Sequence, residues 1–373
     1  MRKFLRVVFI VLLFAFPARV FAGITFGGSL SAFSTTYGTA SASQSFTVTA
    51  SESLFTDPYT NFFVLAPNGF ELSLDGSNYS SSVSIPVTLN FPLIVVPNTT
   101  VYIRLAATTG AGTYFGNVTA TEYFFTISTN SATLAIPSST VNPYPITITA
   151  NTAHKTYGQT LTTTSNSTGY TITSGTLQNA ESMGSVTIAY GSGAAATDAV
   201  GSYPNTITPS AATGGTFNPS NYTITYAKGN LIVDKAAITI KANNVNKTYG
   251  TALTGGSGSA AFTVTSGTLP NSETIGSVTI AYGSGTAATA AAGSYPNTIT
   301  PSAATGGTFN ANNYTISYTN GDLTVDKAAI TIKANNVNKT YGTALTGGSG
   351  STAYSITSGS LKNSDVIDGI TIA

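Results

Sequence analysis

A strict period of 92 residues governs this chain of 373. Ile146, Tyr157 and Tyr190 return as Ile238, Tyr249 and Tyr282 with no insertion or deletion between them, and residues 235–259 recur unchanged as 327–351. A unit this long can enclose a core of its own, unlike repeats of roughly 20–50 residues, which must stack on their neighbours. The chain is therefore expected to be a row of self-contained modules behind a non-repeating N-terminal part.

Composition narrows the class of protein. Charged residues are 7% of the chain, against about 25% in an ordinary soluble domain, so hydroxyls and amides must carry solubility. At 42% hydrophobic residues with strong alternation, the chain buries far more than a disordered tract can. A net charge of +1, with no basic cluster beyond the first residues, gives no footprint for nucleic acid or acidic lipid.

Residues 1–22 read as a secretory signal peptide. Arg2, Lys3 and Arg6 precede an apolar run from Val7 to Phe16, and the stretch ends in Val20-Phe21-Ala22, which makes Gly23 the expected mature start. The run is short for a membrane span; an uncleaved anchor is the alternative. Export would permit disulfides, yet cysteine is absent, so the modules must stand on burial and strand pairing.

Between residues 23 and 141, short alternating runs (Ser45–Thr49, Phe70–Leu74, Val83–Ile85, Val101–Leu105, Tyr123–Ile127) are separated by turn signals such as Pro67-Asn68-Gly69 and Asp75-Gly76. Each run has one apolar face to bury, as in a two-sheet sandwich. Through Ser29–Tyr37, Ala66–Asp75 and Thr100–Leu105 the segment resembles the immunoglobulin-like modules of large exported bacterial proteins. Asn142-Pro143-Tyr144-Pro145 then reads as a short stiff linker.

From Ile146 the sequence runs through Lys155-Thr156-Tyr157-Gly158, Tyr170–Gly175, Gly201-Ser202-Tyr203-Pro204, Asn221–Tyr226 and Leu231–Val233. The second copy repeats every element, at Lys247–Gly250, Phe262–Gly267, Gly293–Pro296, Asn313–Tyr318 and Leu323–Val325; the third has Lys339–Gly342 and Tyr354–Gly359. This series resembles the MBG domain of the YGX type, which implies the tandem modules of large bacterial surface proteins, often adhesin-like ones. The expected fold class is all-β, an N-terminal immunoglobulin-like sandwich followed by tandem β-rich modules in an elongated array. The expected boundaries are 1–22 signal peptide, 23–141 sandwich, 142–234 first repeat, 235–326 second, and 327–373 a truncated third.

Alternation places Tyr222, Ile224 and Tyr226 on one strand face and Thr223 and Thr225 on the other. Asn320-Gly321 suits a tight hairpin joining the last two strands of copy two. The alanine-rich stretches Gly193–Gly201 and Gly285–Gly293 are the only helical candidates, a turn or two at most. Copies are joined by Asp234-Lys235-Ala236-Ala237 and Asp326-Lys327-Ala328-Ala329, which lack Gly and Ser and so predict a stiff rod. Ala373 aligns with Ala281, in mid-strand, and the chain is expected to be the front of a longer protein.

Inventory argues against catalysis. With no cysteine and His154 alone, replaced by Asn246 and Asn338 in the other copies, neither a Cys/His triad nor a zinc site of the usual ligands can be assembled. Glu52, Asp57, Glu71, Asp75 and Glu122 are scattered carboxylates, and Asp75-Gly76-Ser77-Asn78 reads better as a turn than as a calcium loop. No catalytic, cofactor-binding or metal-ligating residue is assigned.

Each copy keeps one lysine and one acid: Lys155 with Glu181, Lys247 with Glu273, Lys339 with Asp365. These are expected to be exposed ion pairs; the sharper alternative is a lysine–asparagine isopeptide using Asn243 or Asn244. Tyr157, Tyr190, Tyr203, Phe217, Tyr222 and Tyr226 recur in copy two as core or half-buried sheet residues, with a sugar-stacking platform as the alternative. The reading is of an exported, non-enzymatic stalk of an adhesin-like bacterial surface protein, spacing a distal binding domain from the envelope. Its expected partner is a host or cell-surface glycan or protein, met by a distal part of the chain, with no nucleic acid and no membrane span in the mature chain. A carbohydrate-binding array and a non-catalytic appendage of a secreted glycan-active enzyme are the rivals.

Overall fold

The computed structural model describes residues 23–53, 61–90, 93–124 and 127–373. The expected signal peptide and Asp57 lie outside them. The described residues form strands joined by turns and three single-turn 3-10 segments, so the all-β fold class holds. They group into two compact units. One holds the chain up to Asn151 with Thr163–Ala189 and Thr208–Lys228; the other holds Thr152–Thr162, Tyr190–Ile207 and Gly229–Ala373.

The N-terminal part contributes ten strands to the first unit: β1 (Thr25–Gly27), β2 (Ser34–Thr36), β3 (Gln44–Ser53), β4 (Asn61–Leu65), β5 (Phe70–Ser73), β6 (Ser82–Ile85), β7 (Thr88–Asn90), β8 (Leu93–Leu105), β9 (Gly112–Phe124) and β10 (Ile127–Asn142). One sheet has the order β1-β3-β8-β5, with β7 on β8, and the other β2-β10-β9-β4-β6. Alternate residues are buried on both: Phe46 and Val48 on β3, Val101, Ile103 and Leu105 on β8, Phe62 and Val64 on β4, Val118 and Ala120 on β9. Burying each of the larger ones stabilises the fold by about 1.5–3 kcal/mol. The run Tyr123–Ile127 is not one strand. Phe124 ends β9 and pairs antiparallel with Ile127, the first residue of β10; Phe125 and Thr126 lie outside the described residues. At Asp75 the expected turn forms, with Oδ1 accepting from Ser77 N and Asn78 N at 2.8 Å and holding its carboxyl far below the usual carboxylate range.

Copy one supplies β11 (Tyr144–Ala150), β12 (Ala153–Thr156), β13 (Thr164–Ser167), β14 (Tyr170–Ser174), β15 (Met183–Tyr190), β16 (Gly201–Gly215), β17 (Tyr222–Ala227) and β18 (Gly229–Asp234). In the first unit, β11 lies between antiparallel β14 and parallel β17. The expected linker shrinks to Pro143, because Asn142 ends β10 and Tyr144 starts β11. Pro145 is tolerated within β11 because β14 pairs only from Thr147 onward. In the second unit, β12 pairs parallel with β18.

Copy two lies wholly in the second unit: β19 (Ala236–Ala242), β20 (Val245–Thr248), β21 (Gly256–Ser259), β22 (Phe262–Ser266), β23 (Ile275–Tyr282), β24 (Gly293–Gly307), β25 (Tyr314–Thr319) and β26 (Gly321–Asp326). Its sheets have the orders β22-β19-β25 and β20-β26-β24-β23-β21. Ile238, Ile240, Val278, Ile280, Ile299, Leu323 and Val325 are all buried in one core.

The hairpin expected at Asn320-Gly321 does not form. β25 and β26 belong to different sheets, and Asn320 is a one-residue step that carries the chain from one to the other. Gly321 is needed there, since a Cβ would sit 2.6 Å from the Ala242 carbonyl oxygen. The alanine-rich stretches hold turns rather than helix; the 3-10 segments are Pro219–Asn221, Pro270–Ser272 and Ala311–Asn313. The joint after copy one also tightens, to Lys235 alone between β18 and β19. The alternation across β17 is as expected, with Thr223 and Thr225 exposed and Tyr222, Ile224 and Tyr226 drawn inward.

Copy three supplies β27 (Thr331–Ala334), β28 (Gly348–Ser351), β29 (Tyr354–Ser358) and β30 (Ile370–Ile372), paired as β27-β29 and β28-β30. Among the described residues it has no counterpart of β24, β25 or β26. Val337 is accordingly 59% exposed where its equivalent Val245 is half-buried.

Candidate functional site

The paired lysines and acids of each copy are not ion pairs. Salt bridges among the described residues include Arg104–Glu71, at 2.7 Å, and the exposed His154–Asp234, at 3.0 Å. Lys155 is 3% exposed and its Nζ donates to the carbonyls of Gln159, at 2.8 Å, and Ala195. Lys247 repeats this on Thr251, at 2.8 Å, Thr286, at 3.2 Å, and Ala287, at 2.5 Å. An ammonium offers three donors and no acceptor, so it can gather main-chain carbonyls from two loops. The buried lysine thereby ties the turn after Tyr157-Gly158 to the alanine-rich loop. Burial lowers the Lys155 pKa, against a rise from the charge of Asp198. The isopeptide alternative finds its amides engaged elsewhere. Asn243 Oδ1 accepts from Thr263 Oγ1 at 2.8 Å, and Asn244 Oδ1 from Asp322 N at 2.9 Å.

The acids hold tyrosines instead. Glu181 Oε1 accepts from the Tyr37 hydroxyl, 144 residues earlier in the chain, and Oε2 from the Tyr222 hydroxyl, both at 2.7 Å. The two rings meet edge to face, 5.6 Å apart at 80°. In copy two, Glu273 Oε1 accepts from Tyr157 Oη at 2.6 Å and Oε2 from Tyr314 Oη, with the rings 5.6 Å apart at 78°. Asp365 of copy three accepts from Tyr249 Oη at 3.2 Å. Each acid thus receives the tyrosine of the Tyr-Gly turn that precedes it by one module.

Backbone geometry builds the receiving side. Asn179-Ala180, Asn271-Ser272 and Asn363-Ser364 all adopt positive φ, between 51° and 63°, a tight reversal that aims the asparagine amide. Asn179 Nδ2 donates to Ala107 O at 3.2 Å, Asn271 Nδ2 to Ala196 O at 3.0 Å, and Asn363 Nδ2 to Ala288 O at 2.8 Å. The same three carbonyls accept from Gly38 N, Gly158 N and Gly250 N of the Tyr-Gly turns. A second asparagine completes the socket: Asn221 Oδ1 accepts from Ala111 N at 2.9 Å, and Asn313 Oδ1 from Val200 N at 3.1 Å.

Why the motif is Tyr-Gly follows from the fit. Gly158 has φ +90°, and a Cβ on it would lie 2.4 Å from Pro270 Cβ; on Gly38, with φ +86°, it would lie 2.3 Å from Gln178 Oε1. The tyrosine reaches past the glycine to the carboxylate. Burial is the largest cause raising the Tyr37, Tyr157, Tyr222 and Tyr314 hydroxyls above their ordinary pKa, and the neighbouring carboxylate adds to it. They stay protonated donors, and a carboxylate that accepts two phenols makes charge-assisted bonds stronger than neutral ones.

Of the aromatic residues singled out in the sequence, Tyr157 and Tyr222 belong to these joints. Phe217 is buried with its ring 5.0 Å from that of Tyr222. Tyr203 donates to Ala199 O at 2.7 Å and Tyr226 accepts from Ala212 N at 2.9 Å, so both serve local loop closure. Tyr190 is half-buried at the end of β15. Among the described residues, no group of three His, Cys, Asp or Glu could hold a metal ion. The joint escaped the sequence reading, although a signal exists: Thr36-Tyr37-Gly38 ahead of the repeats matches Thr156-Tyr157-Gly158 within them.

No curated protein matches the sequence. A solved structure, the CooA pilin subunit from enterotoxigenic Escherichia coli, is similar at 15% identity over 32% of this chain and 99% of that one, with a TM-score of 0.21, a likeness that carries no argument. No enzyme family is indicated, and no helix among the described residues is long and apolar enough to cross a membrane. The MBG domain (YGX type) family matches at 146–232 and again at 238–324, so the chain carries two tandem MBG domains of the kind expected in a surface or adhesin-like repeat region.

Proposed function

We propose that the chain is an exported, non-catalytic spacer of a bacterial surface protein, whose modules are locked in sequence by the tyrosine–carboxylate joint and hold a distal binding domain away from the envelope. The observation that carries the reading is that Glu181, Glu273 and Asp365 each hold the tyrosine of the preceding Tyr-Gly turn. The contact recurs at every copy, at Glu181 within the first unit and at Glu273 and Asp365 within the second. The very short joints, a single residue at Pro143 and at Lys235, leave little slack. Export by residues 1–22, the module boundaries expected from the period, and a glycan or protein partner met elsewhere in the protein belong to the same proposal.

Small-angle scattering on residues 23–373 and on a chain carrying one additional copy tests it. The expected result is a maximum dimension that grows by about 30–40 Å per copy, the span of a compact module of this size. The Glu181→Ala/Glu273→Ala double variant should broaden the distribution of dimensions. Compact clustering of the modules, or growth well below that increment, would overturn the reading.

A further inference from the structure

We infer that each MBG module is a directional mechanical clamp: tension along the chain loads its two terminal arms in shear, so it resists pulling far better in that direction than in others. This goes beyond a spacer role, which requires length and orientation but no particular resistance to force.

The observation is the register of copy two. Its first arm runs through β19 and β20, and its last through β25 and β26. β19 pairs parallel with β25, from Ala236 with Tyr314 to Lys241 with Thr319. β20 pairs parallel with β26, from Val245 with Leu323 to Thr248 with Asp326. The sequence separation between partners is the same in both sheets. The two arms therefore cross from one sheet to the other side by side without losing register. The crossing is itself held. Asp322 N donates to Asn244 Oδ1 at 2.9 Å, and Gly321 lies so close to the carbonyls of Ala242 and Asn243 that no side chain would fit. Copy one has the same separation, from Tyr144 with Tyr222 to Thr156 with Asp234.

In a tandem chain, tension enters copy two at Lys235 and leaves at Lys327. It pulls the first arm from its start and the last arm from its end. Because the arms are parallel, these are opposite ends of one ladder, and extension requires the arms to slide past each other. The evenly spaced bonds of a parallel ladder then share the load and must break together, whereas a ladder pulled at one end yields bond by bond. Forced unfolding follows the barrier to that first rupture, not the equilibrium stability, so direction matters even though the module is the same.

The chain has no native cysteine, so thiol handles can be placed at will. Single-molecule pulling on the whole chain would compare Lys235→Cys/Lys327→Cys, at opposite ends of the arms, with Thr251→Cys/Lys327→Cys, at the same end. All three positions are exposed. A third pair, Lys235→Cys/Ala311→Cys, opens the ladder from its other end and guards against a local effect at Thr251. The expected result is a rupture force roughly two-fold or more higher for the first pair at equal loading rate, because its ladder breaks as one. A force for the first pair no higher than for either of the others would overturn the clamp. The growth of the scattering dimension with each added copy is a separate readout, so the spacer reading stands or falls independently.

Discussion

The joint received by copy two and the joint received by copy three begin from the same Tyr-Gly turn and end differently. Tyr157 is buried against Glu273 and Tyr314, whereas Tyr249 is only half-buried and meets Asp365 at 3.2 Å. The missing participants are the counterparts of Tyr314 and Asn313, which copy two supplies from β25 and the 3-10 turn before it. In their place lies an open cleft of about 470 Å³ lined by Tyr249, Ile330, Leu361, Lys362 and Asp365. Here the turn, the acid and the Asn363 amide on Ala288 O make the contact among the described residues, whereas in copy two a second tyrosine also packs on the first.

Breaking the closed joint at its centre should have the largest effect. Glu273→Ala leaves two tyrosine hydroxyls without their acceptor, one of them on Tyr314 at 2% exposure. It should lower the free energy of local opening, read by hydrogen exchange at β19 and β25, by about 2–4 kcal/mol. Asp365→Ala, in the open joint, should stay within about 0.5 kcal/mol. Equal losses would erase the distinction between the two joints.

Next come the glycines, which separate fit from backbone strain. Gly158→Ala meets both a positive φ and Pro270, while Gly342, at φ +88°, has nothing within 4 Å of a Cβ. Gly342→Ala should cost only the left-handed backbone penalty of about 1–2 kcal/mol, and Gly158→Ala more than that by the same exchange measurement. The difference isolates the docked contact.

A smaller effect is expected from alkaline pH. The pKa values of Tyr157 and Tyr314 are raised from an ordinary 10.0, so above that pH the unfolded state releases protons that the folded joint retains. Stability from these groups is complete below about pH 10 and declines as pH rises further. Opening of β25, followed by exchange, should accelerate over that window, and Glu273→Ala should blunt the effect by removing the carboxylate that adds to the shift. Smallest of all is a reactivity order with no change in stability. Tyr341, 104% exposed, should be nitrated fastest, Tyr249 more slowly and Tyr157 slowest, as read by peptide mass spectrometry.

What the residues disclose in advance depends on the distance over which they act. The inward face of β17 was readable from Tyr222, Ile224 and Tyr226 because alternation is local. Asn320-Gly321 misled because a hairpin and a step between sheets use the same small, turn-prone residues; what separates them is where the Ala242 carbonyl lies, some 80 residues away in the chain, as judged by a Cβ contact on Gly321. Lys155 and Glu181 recur together at fixed spacing, which invited pairing by charge. In the fold each finds a better geometric partner, carbonyls for the ammonium and phenols for the carboxylate. The site itself was written in Thr36-Tyr37-Gly38, but only a comparison of that tripeptide with the repeats, rather than of the repeats with one another, brings it out.

The placement of the glutamate and the Tyr-Gly turn within one period has a genetic consequence. Every whole copy inserted by unequal recombination arrives with a turn for its successor and an acid for its predecessor. Alleles that differ in copy number would thus need no compensating change at the seams.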